Sequence, residues 1–494
     1  MANFEKVSRF FDGVALLVLL AAGALLFISY DSAGYLVTGN QAAARALADQ
    51  SLSQLVTSQH APGYPLFLWF THKLFGSATG VPLFQFGLFF LAVLLFSRGL
   101  SQFGMRRLTA LVAALALLPV DLIRDYGQAL QPDALTAAVC IALLGLLFHL
   151  AAPGNRLQGK RRIFTWVVMA FLPLVAITLK PVALFMLPLL WLLAFLLLWP
   201  LSLEHDWKWG RKLRFLIALV VLTTLPLGLW CGAKIATGSA DGAKRMSILL
   251  AGTMGPLLQT SMLDGLADGQ KATAEQVVAA RTALVAQRQA TSQPVELVSS
   301  NDQGVINHHR WATDVTSYRV NQQAVRNLLQ AKVAPQADVQ TAGDEATHTE
   351  DSPEANVEKA EVEETIVEAK PVTPRDLMQL WVAVAQQYPL DLLMRSYHAM
   401  RSIMQQLFSH HAYISAVAML ALILIPLGWI LRPSRRMSPH VRLLMLTGLL
   451  FFLLTSAMLA LLTVPEARTV AGASLLLPSG LAVLLLRQFY DPEA

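Results

Sequence analysis

Charge is scarce in this chain. Only 14% of its 494 residues are Asp, Glu, Lys or Arg, against about 25% in an average soluble domain. With 55% hydrophobic residues and a mean hydropathy of +0.51, that shortage excludes an ordinary water-soluble globule and indicates a polytopic membrane protein. Cysteine is almost missing. Cys140 and Cys231 both lie in apolar segments, which argues against a disulfide framework and a thiolate metal site. Several motifs are absent as well: there is no P-loop, no Gly-rich dinucleotide turn, no HExxH, no CxxC and no GxSxG. His410-His411 reads as a loop end rather than a metal site; no cofactor and no obligatory metal are expected. The net charge of +6 is not a nucleic-acid signal, because Lys and Arg gather in short loops where membrane orientation calls for them.

What is present is a series of apolar runs. About 20 such residues cross the hydrocarbon core as a helix, and runs near that length fall at 13–30, 78–97, 108–123, 134–151, 163–180, 182–200, 213–232, 412–431, 443–463 and 469–487. The expected fold is therefore all-α, with about ten transmembrane helices. Residues 1–13 are polar and no small-residue cleavage site follows, so the first run is expected to be retained as a span. Basic clusters at Arg98/Arg106/Arg107, Arg156/Lys160/Arg161/Arg162, Lys208/Arg211/Lys212/Arg214 and Arg432/Arg435/Arg436/Arg442 separate alternate spans. Ten spans with both termini in the cytoplasm put all four clusters inside.

That arrangement leaves 31–77, 121–133, the turn near Lys180, 233–411 and 464–468 on the external face. Residues 1–232 thus read as an N-terminal transmembrane module, 233–411 as an external portion and 412–494 as a C-terminal transmembrane module. In the first external loop, Gln41–Val56 is Ala-rich and suited to a helix. Pro62–Phe75 is a second helical run, rich in aromatics and too short to cross, that suits the interface. Within the external portion, Gln270–Gln293 reads as a polar helix, whereas 334–372 is acidic, poor in aromatics and expected to be disordered. Thr373-Pro374-Arg-Asp376 carries a helix-start signature, and the run to His411 is expected to return along the membrane surface.

Few charged groups fall at external span ends: Asp31, His60, Asp121, Arg124, Asp125, Asp133, Lys180, Glu466 and Arg468. Ionisable groups at membrane depth are costly and mark function by default, although boundary positions can be hydrated or snorkel. Asp31 is placed to take a proton from a hydroxyl or amine. Lys180, His60 and Arg468 can pair with phosphate oxygens. Asp133, just after Pro132, either caps its helix or offers a second carboxylate facing Asp31. Asp121, Arg124 and Asp125 can equally pair among themselves.

Four of these places resemble the GT-C superfamily of membrane glycosyltransferases, of the protein-mannosyltransferase and aminoarabinose-transferase kind. Tyr30-Asp31-Ser-Ala-Gly-Tyr35 resembles the family's acid–x–x–x–Tyr motif. His60-Ala-Pro-Gly-Tyr-Pro-Leu-Phe67 is similar to its Pro-Pro-x-Tyr-Pro-Leu surface helix. Gln131-Pro-Asp133 resembles its second acid, and Thr178-Leu-Lys180-Pro181 with Glu466-Ala-Arg468 resembles its later basic positions. The resemblance covers 14–200 and the last two helices, and matches nothing within 233–411. It departs where Ser32 follows Asp31 in place of a second acid, and where Arg468-Thr469 stands for Arg-Tyr. It implies an inverting transferase taking a sugar from a polyprenyl-phosphate donor in the membrane lipid to an acceptor glycan, lipid or protein. Asp31 and Asp133 would be catalytic, and His60, Tyr35, Lys180, Arg468, Glu466 and Arg124 would hold substrate. The setting implied is a bacterial inner membrane with the active face periplasmic. The competing class is a non-catalytic transporter, flippase or envelope-assembly subunit.

The orientation is testable in a bacterial host. Alkaline phosphatase fused after residue 300 should be active and after residue 158 inactive, with green fluorescent protein giving the reverse; equal activity at both would refute the charge-based topology.

Overall fold

In a computed structural model, residues 62–75, 80–120, 122–123, 132–152, 160–198, 208–236, 241–258, 260–290, 308–330, 372–431, 439–462 and 467–489 are described, together with five isolated positions between 14 and 22. The described residues are helical throughout, with no strand among them. In chain order the helices are α1 Gly63–Phe75, α2 Gly80–Gln102, α3 Arg107–Leu115, α4 Asp133–Ala151, α5 Lys160–Leu179, α6 Met186–Leu198, α7 Trp209–Ala236, α8 Asp241–Met254, α9 Asp268–Ala290, α10 His308–Gln330, α11 Pro374–Gln387, α12 Pro389–His410, α13 Ala412–Leu431, α14 Pro439–Leu462, α15 Ala467–Ala473 and α16 Leu477–Phe489. A 3₁₀ turn, Pro181–Phe185, runs directly into α6.

Five of these segments are long and apolar enough to cross a membrane: Gly80–Gln102, Asp133–Ala151, Pro181–Leu198, Trp209–Ala233 and His440–Leu461. They mark an integral membrane protein. A sixth would be counted if Pro389–Ser409 and Ala412–Ile423, which meet at 89°, are taken as one bent span. The 412–431 run is helical throughout as α13, whereas two other apolar runs give shorter helices, and proline supplies the reason. The 108–123 run is helical only to Leu115 and then turns ahead of Pro119, because a proline disfavours helical geometry in the residue before it. The last run divides into α15 and α16 across a turn before Pro478. A proline ring there clashes with the carbonyl four residues back, and that carbonyl, of Ser474, instead accepts from Leu477 N at 3.0 Å. The 163–180 run gives a 17-residue apolar stretch, Ile163–Leu179. Most of the expected first span, the Gln41–Val56 helix and the acidic segment up to residue 371 lie outside the described residues.

The chain divides into two compact units, Met1–Ala240 with Arg395–Ala494, and Asp241–Met394. In the first, α4 is the centre: 89% of its apolar window is buried, against 22% for α7. A helix apolar on every side belongs in the middle of a bundle. Its main neighbour is α2, and two glycines set the spacing. A Cβ on Gly145 would stand 2.8 Å from Phe96 Cα and N, and one on Gly99 would collide with the Gly145 carbonyl. Small residues let membrane helices approach backbone to backbone. Phe148 then fills the space between Phe96 and Phe103, with ring centroids 6.0 and 5.7 Å away. After α2 the chain reverses through Gly104 at φ +111°, a geometry that favours glycine. Polar ties are few: Trp191 Nε1 donates to Thr223 Oγ1 at 3.1 Å between α6 and α7, and Tyr413 Oη to Ala116 O at 3.1 Å.

The second unit is a helical cluster around fully buried Trp381, whose Nε1 donates to Ser247 O at 3.0 Å. Arg281 donates at 2.9 Å to each of Gly255 O and Leu258 O, which satisfies carbonyls at the end of α8 that helix geometry leaves open. Burial pulls its guanidinium pKa below the ordinary value. A reciprocal capping box between Thr373 and Asp376 starts α11. The His308–Gln330 helix, with Val320, Ala324 and Val325 buried, was not signalled by any strong periodicity in the sequence.

The glycine spacing can be tested. Gly145→Leu should lower the unfolding temperature of the detergent-solubilised protein by several degrees, since overpacking costs roughly 1–3 kcal/mol. Gly87→Ala, where an added Cβ meets nothing within 4 Å, should not lower it, since Ala is the better helix former.

Candidate functional site

Two prolines position the two charges that the structure brings together. Pro181 opens the 3₁₀ turn, and the residue before a proline is pushed out of the helical region; Lys180 accordingly sits extended at φ −147°, ψ 113° after α5 ends. Its backbone stays satisfied, with Lys180 N donating to Ala176 O and Lys180 O accepting from Ala183 N, both at 2.9 Å. Pro132 is the N-cap of α4 and has no side chain able to cap, so Asp133 occupies the first helical position. There the exposed N–H groups and the helix dipole favour an acid.

Lys180 Nζ donates to Asp133 Oδ1 at 2.5 Å. The Asp133 side chain is 5% exposed and that of Lys180 24%. A carboxylate so thoroughly removed from water needs a cation beside it, and an ammonium has donors to spare after one is used.

Helix α1 packs on the end of α5 next to this pair. A Cβ on Gly63 would lie 2.7 Å from Thr178 C and Oγ1 and 2.8 Å from Leu179 N, so the first turn of α1 rests on the last turn of α5, one residue before Lys180. The next residue, Tyr64, accepts at Oη from Gln85 Nε2 at 3.2 Å. Its ring stacks on Phe67 with centroids 6.0 Å apart, and Phe67 stacks on Phe84 at 5.7 Å. Burial above all, and then the negative charge of Asp133, raise the Tyr64 pKa well beyond that of an ordinary phenol; the Gln85 hydrogen bond opposes them. Tyr64 therefore stays a neutral hydroxyl within electrostatic reach of Asp133. Gln85 is fully buried, and its Oε1 has no hydrogen-bond partner among the described residues. The start of α1, the start of α4 and the end of α5 thus meet around one acid, one cation, one phenol and one amide. Such a junction can hold an anionic group at a cation flanked by helix N-termini.

Of the residues singled out in the sequence, Asp133 and Lys180 are thus in direct contact. Asp31, Tyr35, His60, Arg124 and Glu466, along with Asp121 and Asp125, lie outside the described residues. Arg468 falls in α15, with its side chain likewise outside the described set. Tyr64 and Gln85 were missed as site residues. Gln85 did carry a signal, being a lone amide in an apolar span, where polar groups are rare. Among the described residues no group of three or more His, Cys, Asp or Glu is placed to hold a metal ion.

A double-mutant cycle tests the ion pair. Asp133→Asn and Lys180→Met should each lower stability, because each strands the other buried charge. The double variant should lose less than the sum, with a coupling of roughly 1–3 kcal/mol read from unfolding in detergent; strict additivity would mean that the two groups do not depend on each other. No protein-family model matches this chain, and no curated protein sequence matches it.

Proposed function

We propose that this protein is a membrane glycosyltransferase that moves a sugar from a polyprenyl-phosphate donor to an acceptor glycan, lipid or protein at the external face of a bacterial inner membrane. The observation that supports the reading best is the Asp133–Lys180 pair at 2.5 Å, set at a junction of helix ends beneath a surface helix. A transferase with a lipid-phosphate leaving group needs a cation fixed in advance at membrane depth. Lys180, tied by Asp133 on one side and partly open on the other, has that character. The GT-C resemblance puts the approach of the lipid phosphate at the basic residue that precedes the first-loop helix, which here is His60.

In this scheme Asp31 removes the proton from an acceptor hydroxyl or amine, whose oxygen or nitrogen attacks the anomeric carbon from the face opposite the phosphate. The bond between that carbon and the phosphate oxygen breaks with its electron pair leaving on oxygen, so the configuration inverts and polyprenyl phosphate departs. Lys180, His60 and Arg468 hold the departing phosphate. Asp133 fixes the Lys180 ammonium, and Tyr64, as a neutral hydroxyl, is a donor beside them. Tyr35, Glu466 and Arg124 complete substrate binding as the resemblance implies, in a fold of about ten spans.

The test is transfer itself. Full-length protein in nanodiscs is incubated with radiolabelled polyprenyl-phosphate sugars and a membrane extract. Label should pass to a lipid, protein or glycan fraction, and Asp31→Asn should reduce turnover by about 10²–10⁴ while donor binding persists. Lys180→Met should weaken both. If no fraction is labelled with any donor, or Asp31→Asn has full activity, the transferase reading fails and the transporter or assembly-subunit class takes its place.

A further inference from the structure

The helix Pro389–His410 presents two apolar faces. On one, Ile403 and Leu407 are buried with Ile414, Phe452, Leu459 and Val470. The other carries Leu390, Leu393, Met394, Tyr397, Met404 and Phe408, which are 39–73% exposed. Their spacing of three, four and seven puts them in one stripe, about 27 Å long at 1.5 Å per residue. A water-facing helix does not ordinarily keep so long an apolar row uncovered. Arg401 is exposed in the middle of that stripe. Arg395 and His398 lie on the flank, and Asp391, at the first turn, is the helix's single acid. The helix then turns by 89° into Ala412–Ile423, whose Met419, Leu420, Leu422 and Ile423 are also exposed and apolar.

We propose that this stripe is a docking face for an anionic lipid surface, with Arg401 taking a lipid phosphate. The sharp turn supports it: when Ala412–Ile423 runs across the bilayer, a helix at nearly a right angle to it runs along the surface. The exposed apolar residues of the two helices then form one continuous lipid-contacting row. The charge pattern supports it too. A helix embedded about 5–10 Å into the headgroup–acyl boundary keeps apolar groups below and cations level with the phosphates. An Arg in the row can extend its aliphatic stem over the acyl chains and deliver its planar fork to a phosphate. The proposal does not depend on the transferase reading, because it needs no catalysis.

Nitroxide labels test it in the full-length protein. On a Cys231→Ser background, with buried Cys140 retained, single cysteines are introduced as Tyr397→Cys, Met404→Cys, Phe408→Cys and, on the flank, Ser402→Cys. The protein is reconstituted in vesicles of phosphatidylethanolamine with phosphatidylglycerol, or of phosphatidylcholine alone, and collision with oxygen is compared with collision with a water-soluble nickel chelate. The three stripe positions should favour oxygen at least threefold over Ser402→Cys and report one shallow depth. The label at position 404 should sit deeper with phosphatidylglycerol present, and adding Arg401→Gln should abolish that difference. Four results would overturn the proposal. High nickel access along the stripe would mean bulk water, and low access to both reagents would mean cover by protein or a second copy. Depth changing steadily from 397 to 408 would mean a crossing segment, and indifference to phosphatidylglycerol would remove the anionic partner.

Discussion

The first unit depends most on the cost of taking a carboxylate out of water. Asp133 is buried at the start of the most enclosed helix in the bundle, and it is tolerable there because Lys180 reaches it. That requirement fixes more than two side chains. Lys180 reaches Asp133 from its extended position before Pro181, and Asp133 stands at the first helical position after Pro132. The pair therefore ties the start of α4 to the break between α5 and α6. The surface helix α1 packs over that same break through Gly63.

Around this anchor the bundle uses little polar bonding. Without a hydrophobic driving force between helices in lipid, association relies on close packing. The contact of α2 with α4 is of that kind, built on Gly99 and Gly145 and filled by the Phe96, Phe103 and Phe148 rings. The second unit solves the opposite problem. It buries a Trp381-centred core and uses Arg281 and Trp381 hydrogen bonds on backbone carbonyls, because buried main-chain acceptors need partners.

Much of this was legible in the sequence, and the exceptions have physical causes. Apolar length alone located Gly80–Gln102, Asp133–Ala151, Pro181–Leu198, Trp209–Ala233 and His440–Leu461, because a crossing helix must be long and apolar at once. It could not foresee how Pro119 and Pro478 would shorten the helices at 107–115 and 477–489; hydropathy is blind to a ring that removes a hydrogen bond. The site was half legible. Asp133 and Lys180 stood out as rare charges at span ends, but their contact, 47 residues apart in the chain, is a product of packing. Tyr64 and Gln85 gained their place through burial, which no local pattern announces. The His308–Gln330 helix is polar for most of its length, and so offered no strong period to read.

Gly63 has a further consequence for how the first loop joins the bundle. Where α1 meets α5, backbone lies against backbone, with Thr178 at 2.7 Å from the position a methyl group would take. Side chains can adapt a loose fit by changing rotamer, but peptide planes cannot. The seam is thus fixed by main chain on both sides, and the rings of Tyr64 and Phe67 carry the contact onward to Phe84 of α2, so that a methyl group at position 63 would disturb α1, α2 and α5 together.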